Sequence, residues 1–276
     1  MKVEVKNATT YHSEFKVSKS PGENHVLRLR LGLCVQKVPG VPNTFRDFDG
    51  NSFSIREWTT GEWFSFWHTI LDQCDVWNNQ FWLIPPRTYS ELDVAAGDIK
   101  FRPNVQCELF VQLWSNPGEA QKLIKVAKLA DSVTGDSTQF RSDAVTYDSL
   151  DGVAHTFQIP DAAGVNHNII HYTIPHEIGH ALGQPHIGVL KKTAACTAAI
   201  AGNPGDAMSQ GGANSNRCYG YGEPPTISEN IMGYGSRFDV VNAQPWVDRV
   251  IEHCTGTTKA DWQVRLSEMP PFIAPR

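Results

Sequence analysis

Residues 176–186 read His176-Glu177-Ile178-Gly179-His180-Ala181-Leu182-Gly183-Gln184-Pro185-His186. Residues four apart on a helix share a face, about 6 Å apart along the axis. His176 and His180 can therefore turn their imidazoles onto one metal ion. Glu177 cannot point at the same place, but its carboxylate can reach a water beside that metal. Gly183 permits the positive φ that ends a helix, and Pro185 prevents the helix from resuming. His186 can then return as a third ligand. Three protein ligands leave a fourth position for water, the arrangement of a catalytic zinc rather than a structural one. Glu177 is placed to take that water's proton, and the product is suited to attack on an amide carbonyl.

The run HEIGHALGQPH matches HExxHxxGxxH, and the chain resembles the metzincin zinc endopeptidases. That family carries a methionine turn, and Asn230-Ile231-Met232-Gly233-Tyr234-Gly235 looks like it. The resemblance implies zinc held by His176, His180 and His186, with Glu177 as catalytic base. Met232 would be the apolar floor under the imidazoles, and Gly183 the turn that returns the chain. Tyr234, two residues after Met232, stands where the astacin, serralysin and pappalysin branches place a tyrosine that helps hold the oxyanion. The implied fold is α+β, with a twisted mixed sheet, two long helices and an irregular C-terminal subdomain ending in a helix. On that plan residues 1–24 are an arm or edge strand, 25–186 an upper subdomain and 187–276 a lower one. Specificity would be shaped around Ser236 to Val241. The motif-level match covers 172–237; elsewhere only the order of elements agrees. Two positions depart from the family. Pro175 forces the histidine helix to start near Tyr172 to Ile174, because proline fits only a first turn. Ile187 replaces the residues that mark named branches, so no branch is assigned.

The elements that must position this motif are written in periodicity. His25 to Val38 alternates, with Leu27, Leu29, Leu31, Leu33 and Val35 on one face of a strand. Trp63, Trp67, Ile70, Cys74 and Trp77 recur at helical spacing and predict a helix over 58–79 with the tryptophans in the core. Phe81 to Ile84 and Cys107 to Trp114 read as strands. Lys122 to Leu129 is ambiguous between strand and helix. Ala144 to Tyr147 and His155 to Ile159 read as short strands. Ile187 to Glu229 has little periodicity and reads as a long loop that wraps a site. Asp239 to Cys254 predicts a last helix that Pro245 can begin, with Gly256 beyond its end, and the tail MPPFIAPR reads as extended.

The chain has 276 residues, 41% hydrophobic and 19% charged, with a net charge of −5. No apolar run reaches membrane-span length and no basic block occurs, so membrane and nucleic acid are not expected partners. A protein or peptide substrate and a monomer are expected. The start MKVEVKNATTYHSEF lacks the apolar stretch of a secretory signal. The expectation is action outside the producing cell, either as an effector or toxin delivered by its own route or as a mature form trimmed of its leader. Cys34, Cys74 and Cys107 read as buried thiols, while Cys196 and Cys218 lie in a polar stretch where a disulfide is an even choice. Cys34 and Asp98 are isolated candidates for a metal-blocking residue, and both read as structural. Asp47 to Asn51 resembles the start of a calcium loop but lacks its twelfth-position glutamate, so a surface turn is expected. His171 precedes the motif; a role beside the metal or the substrate is open, although a locally bonded ring is the commoner case. His167 is read in the same way. His12, His25, His68, His155 and His253 have no ligand context. Two other functions share the motif: an amidase acting on cell-wall peptides, and a zinc-stabilised binding module without catalysis.

Overall fold

The computed structural model describes residues 2–6, 8–20, 22–47, 50–131, 140–160, 164–187, 194, 197–198, 229–267 and 274–275. The described chain is α+β, with mixed strand pairing and three α-helices. It opens with β1 (Lys2–Lys6), β2 (His12–Val17), β3 (His25–Lys37), β4 (Thr44–Arg46) and β5 (Ser52–Ser54), followed by helix α1 (Thr60–Cys74). Next come β6 (Phe81–Ile84), β7 (Val94–Ala96), β8 (Ile99–Arg102), β9 (Val105–Trp114), β10 (Lys122–Ala127) and β11 (Thr146–Asp148). A hairpin of β12 (His155–Pro160) and β13 (Asn166–His171) leads into α2 (Thr173–Ala181). Helix α3 (Gln244–His253), β14 (Gln263–Leu266) and β15 (Ala274–Pro275) complete it. Two compact units divide these elements: residues 1–31, 75–112 and 238–276 form one, and 32–74 with 113–237 form the other.

In the first unit the alternating leucines of β3 do what their period predicts. Leu27, Leu29 and Leu31 are fully buried. On one side β2 pairs antiparallel with it, Arg30 opposite His12, and β1 pairs β2 in turn. Strands β1 and β2 thus form an antiparallel pair, with β1 outermost. Helix α3 starts at Gln244 with Pro245 in its first turn, where its missing N–H costs nothing. The stretch before it, Val240–Ala243, is a 3-10 turn capped by Asp239. Trp246 is wholly buried, 5.5 Å from the Phe81 ring and 6.4 Å from Trp77, and its indole N–H donates to the Glu108 carbonyl at 2.9 Å. Trp246→Ala removes that packing and strands the carbonyl, so it is expected to cost about 3–5 kcal/mol. Denaturant unfolding checks this; a loss under about 1 kcal/mol would contradict the burial.

Ser13, His253 and Glu4 of this unit line up as hydroxyl, imidazole and carboxylate, at 2.9 Å and 3.6 Å. Ser13 has no exposed surface, so no acyl group can reach it. The arrangement joins β1 and β2 to the end of α3.

In the second unit β10 resolves the ambiguous Lys122 to Leu129 as a strand. It pairs in parallel with the second half of β3 and with β11. Helix α1 is capped by Thr59 and Glu62, each accepting from the other's backbone N–H. Its buried line is Phe66, Ile70 and Cys74. Of the predicted stripe, Ile70, Cys74 and Trp77 are buried, whereas Trp63 and Trp67 are only half-buried and Phe66 takes the core position in their place. The predicted helix over 58–79 splits, because a 3-10 turn, Asp75–Trp77, follows α1. Cys34, Cys74 and Cys107 are buried as expected. Cys196, Cys218 and nearly all of the 187–229 loop lie outside the described residues. Asn51 donates twice to the Asp47 carboxylate, in the manner of a surface turn.

Candidate metal centre

The histidine helix is short because its sequence stops it at both ends. Tyr172 is extended and offers no side-chain cap. The Asp151 carboxylate accepts from the Ser142 hydroxyl (2.6 Å) and the Asp148 N–H (2.7 Å), and it bonds the side chain of Thr173, the first residue of the helix. An anion at a helix N-terminus is favourable. Pro175 sits in the first turn, as the sequence requires. At the other end Gly183 has φ +88°, the Gln184 N–H returns to the Gly179 carbonyl, and the Gly183 N–H to that of His180. This pair of bonds is the Schellman ending, which glycine adopts without strain. Between the two stops, every residue from Ile174 to Ala181 is buried.

The reversal at Gly183 delivers His186 to the other two histidines. One ligand atom from each of His176, His180 and His186 lies within 4.8 Å of the others, and all three side chains are buried. The Nε2 atoms of His180 and His186 are 3.2 Å apart. Two nitrogens bound at 2.0–2.1 Å to a tetrahedral zinc lie about 3.3 Å apart. The orientation of two rings is fixed from behind. His176 Nδ1 donates to the Ile231 carbonyl and His180 Nδ1 to the Gln184 carbonyl, both at 2.7 Å. A carbonyl only accepts, so each Nδ1 carries the hydrogen and each Nε2 lone pair is free to bind a metal. The residues present therefore fit a divalent ion.

Electrostatics agree with that fit. Burial, then the neighbouring imidazoles, holds His176 well below the usual histidine range, and burial lowers His180 to about 4. Both rings are neutral at pH 7, the form a metal needs. An ordinary imidazole site loses affinity by roughly tenfold per ligand per pH unit below about 6.5, as protons displace the metal. Here the lowered values shift that loss downward. Metal affinity is expected to fall less steeply from pH 7.5 to 5.5 than at an ordinary three-imidazole site, because His176 and His180 resist protonation there. Chelator competition at each pH measures it, and a steep loss beginning at 6.5 would refute it.

Glu177 is buried, and its Oε2 has no hydrogen-bond partner among the described residues. Burial pushes its carboxyl well above the ordinary range; Asp143 and Asp151 add to this and Arg141 opposes it. A buried carboxylate oxygen without a donor is costly, and such groups mark functional sites.

The 230–235 turn packs beside the helix. Asn230 Oδ1 accepts from the Met232 N–H at 2.8 Å, and the Asn230 carbonyl accepts from Gly233 and Gly235. A side chain at Gly235 would meet the Glu229 backbone at 1.9 Å, so only glycine fits there. Met232 is fully buried, and its carbonyl accepts from Ile187, the residue after the third histidine. Tyr234 is half-buried with its ring 5.9 Å from Phe157 of β12. His176, Glu177, His180, His186, Met232 and Tyr234 thus lie on elements of one unit. The sequence reading missed the bracing residues. Asn230 carried a signal, since an asparagine bonding the N–H two residues on is an Asx turn. The Gln184 carbonyl carried none, because any residue supplies one. No protein-family profile, curated protein or solved structure matches the chain.

Proposed function

We propose that the chain is a zinc-dependent endopeptidase of the metzincin type, acting on proteins or peptides. The observation that carries this is the meeting of three buried imidazoles beside a buried carboxylate whose Oε2 has no partner. His176, His180 and His186 would hold zinc, which supplies Lewis acidity when bound. Glu177 accepts the proton of the attacking water and passes it to the leaving amine; its raised proton affinity makes it a better base once ionised. The Tyr234 hydroxyl donates to the developing oxyanion, a contribution of about 2.7–4 kcal/mol for a well-placed donor. Met232 supplies the apolar floor. An extended peptide would pair with an open strand edge. β11 (Thr146–Asp148), which pairs with β10 alone among the described strands, offers such an edge near Ala144 to Tyr147. The test is cleavage of unfolded casein by wild type and Glu177→Gln, with zinc measured in both. Cleavage by wild type only, with about one zinc in each, supports the reading. Zinc in both with no cleavage by either favours the binding module, and turnover of peptidoglycan stems alone favours the amidase.

A further inference from the structure

His171 ends β13, and α2 begins at Thr173. Its ring packs 5.1 Å from that of His176 and 5.5 Å from that of Phe157. The carbonyls of Tyr234 and Gly235 accept from it. Its Nδ1 is buried without a hydrogen-bond partner among the described residues, so the ring's one N–H, on Nε2, is shared between the two carbonyls. The turn is therefore held at both ends by residues of one short stretch. Ile231, near its start, accepts from His176, while Tyr234 and Gly235, at its end, accept from His171.

We propose that His171 is a positioning residue that clamps the 230–235 turn against α2, and through the turn sets the tilt of the His176 ring and the place of Tyr234. The path to the metal is short. If the turn slides, the Ile231 carbonyl moves and His176 loses the bond that aims its Nε2. Partners behind a metal-binding histidine typically matter by 10–100-fold in affinity. The His176 arm needs only metal binding, whereas the Tyr234 arm rests on the peptidase reading above.

The discriminating variants are His171→Phe, which keeps the ring and removes the donor, and His171→Gln, whose amide can place an N–H near the Nε2 position. Three quantities are read on each full-length protein: zinc affinity by chelator competition, melting temperature of the metal-stripped form, and casein cleavage. The expected result is a loss of about tenfold or more in zinc affinity for His171→Phe, most of it regained in His171→Gln, with both metal-free forms still folding cooperatively and His171→Phe melting only modestly lower. Unchanged affinity in His171→Phe overturns the clamp. So does an equal loss in both variants with a collapsed metal-free melting temperature, which would make His171 merely structural. If affinities follow the expected pattern while wild type cleaves nothing, the clamp stands and the peptidase reading falls.

Discussion

Glu177→Gln protein is expected to keep about one zinc per chain and to lose casein cleavage by 10²–10⁴-fold or more. The two effects separate because adjacent helix positions diverge by about 100°. Glu177 cannot join His176 and His180 on their ligand face, so its loss leaves the three imidazoles intact. Glutamine matches glutamate in shape but cannot carry a proton away from water. Stability provides an internal control. The Glu177 carboxyl is pushed well above 4.5 by burial, then by Asp143 and Asp151. Above pH 4.5 the unfolded chain has released this proton while the folded chain retains it, so wild-type stability falls as pH rises from there. A neutral amide removes that penalty. With the metal stripped from both proteins, Glu177→Gln should therefore melt no lower than wild type at pH 7, and the advantage should vanish below pH 4.5. Cleavage at the wild-type rate by the zinc-loaded variant would end the proposed mechanism.

His180→Ala is expected to abolish stoichiometric zinc binding at micromolar metal, and with it any cleavage. Structural zinc sites gain roughly 10–16 kcal/mol from four ligands. One ligand's share is then about 2.5–4 kcal/mol, or 10²–10³-fold in affinity. His180 is the ligand to choose because its Nε2 lies against that of His186 and its Nδ1 holds the Gln184 carbonyl just after Gly183. Its loss removes a donor and loosens the return that carries His186. Loss of the His180–Gln184 hydrogen bond should also lower metal-free stability, by about 0.5–1.5 kcal/mol. His68→Ala, at an exposed position on α1, is the matched control and should bind zinc as wild type does. Equal zinc content in His180→Ala and His68→Ala would remove His180 from the site.

The centre was legible where local chemistry decides structure. Pro175, Gly183 and the four-residue histidine spacing act within two helical turns, and helix bounds, reversal and ligand convergence followed from them. β3 was legible for the same reason, since its leucines alternate without a break. Other elements depend on partners far away in sequence. Trp63 and Trp67 share the helical period of the core line, yet Phe66 occupies it; four large aromatics within five residues leave the phase to tertiary packing. β13 was not foreseen, because Asn166-His167-Asn168 is polar and its strand exists through pairing with β12. The strands β7, β8 and β14 are too short for a period to register. His171 could be noticed by its proximity to the motif, but its service to the Tyr234 and Gly235 carbonyls depends on a turn some sixty residues later.

That separation has a consequence in time. The bond fixing the His176 ring reaches across 55 positions to Ile231. A ribosome adding about 5–20 residues per second needs roughly 3–11 s to cover them. For most of that interval the nascent chain already carries HEIGHALGQPH with no turn behind it. A metal captured then would meet a His176 ring whose tautomer is not yet set. On the function proposed above, correct loading would be a late event in the birth of the chain, and metal supply during synthesis should affect the yield of active protein less than metal supply after release.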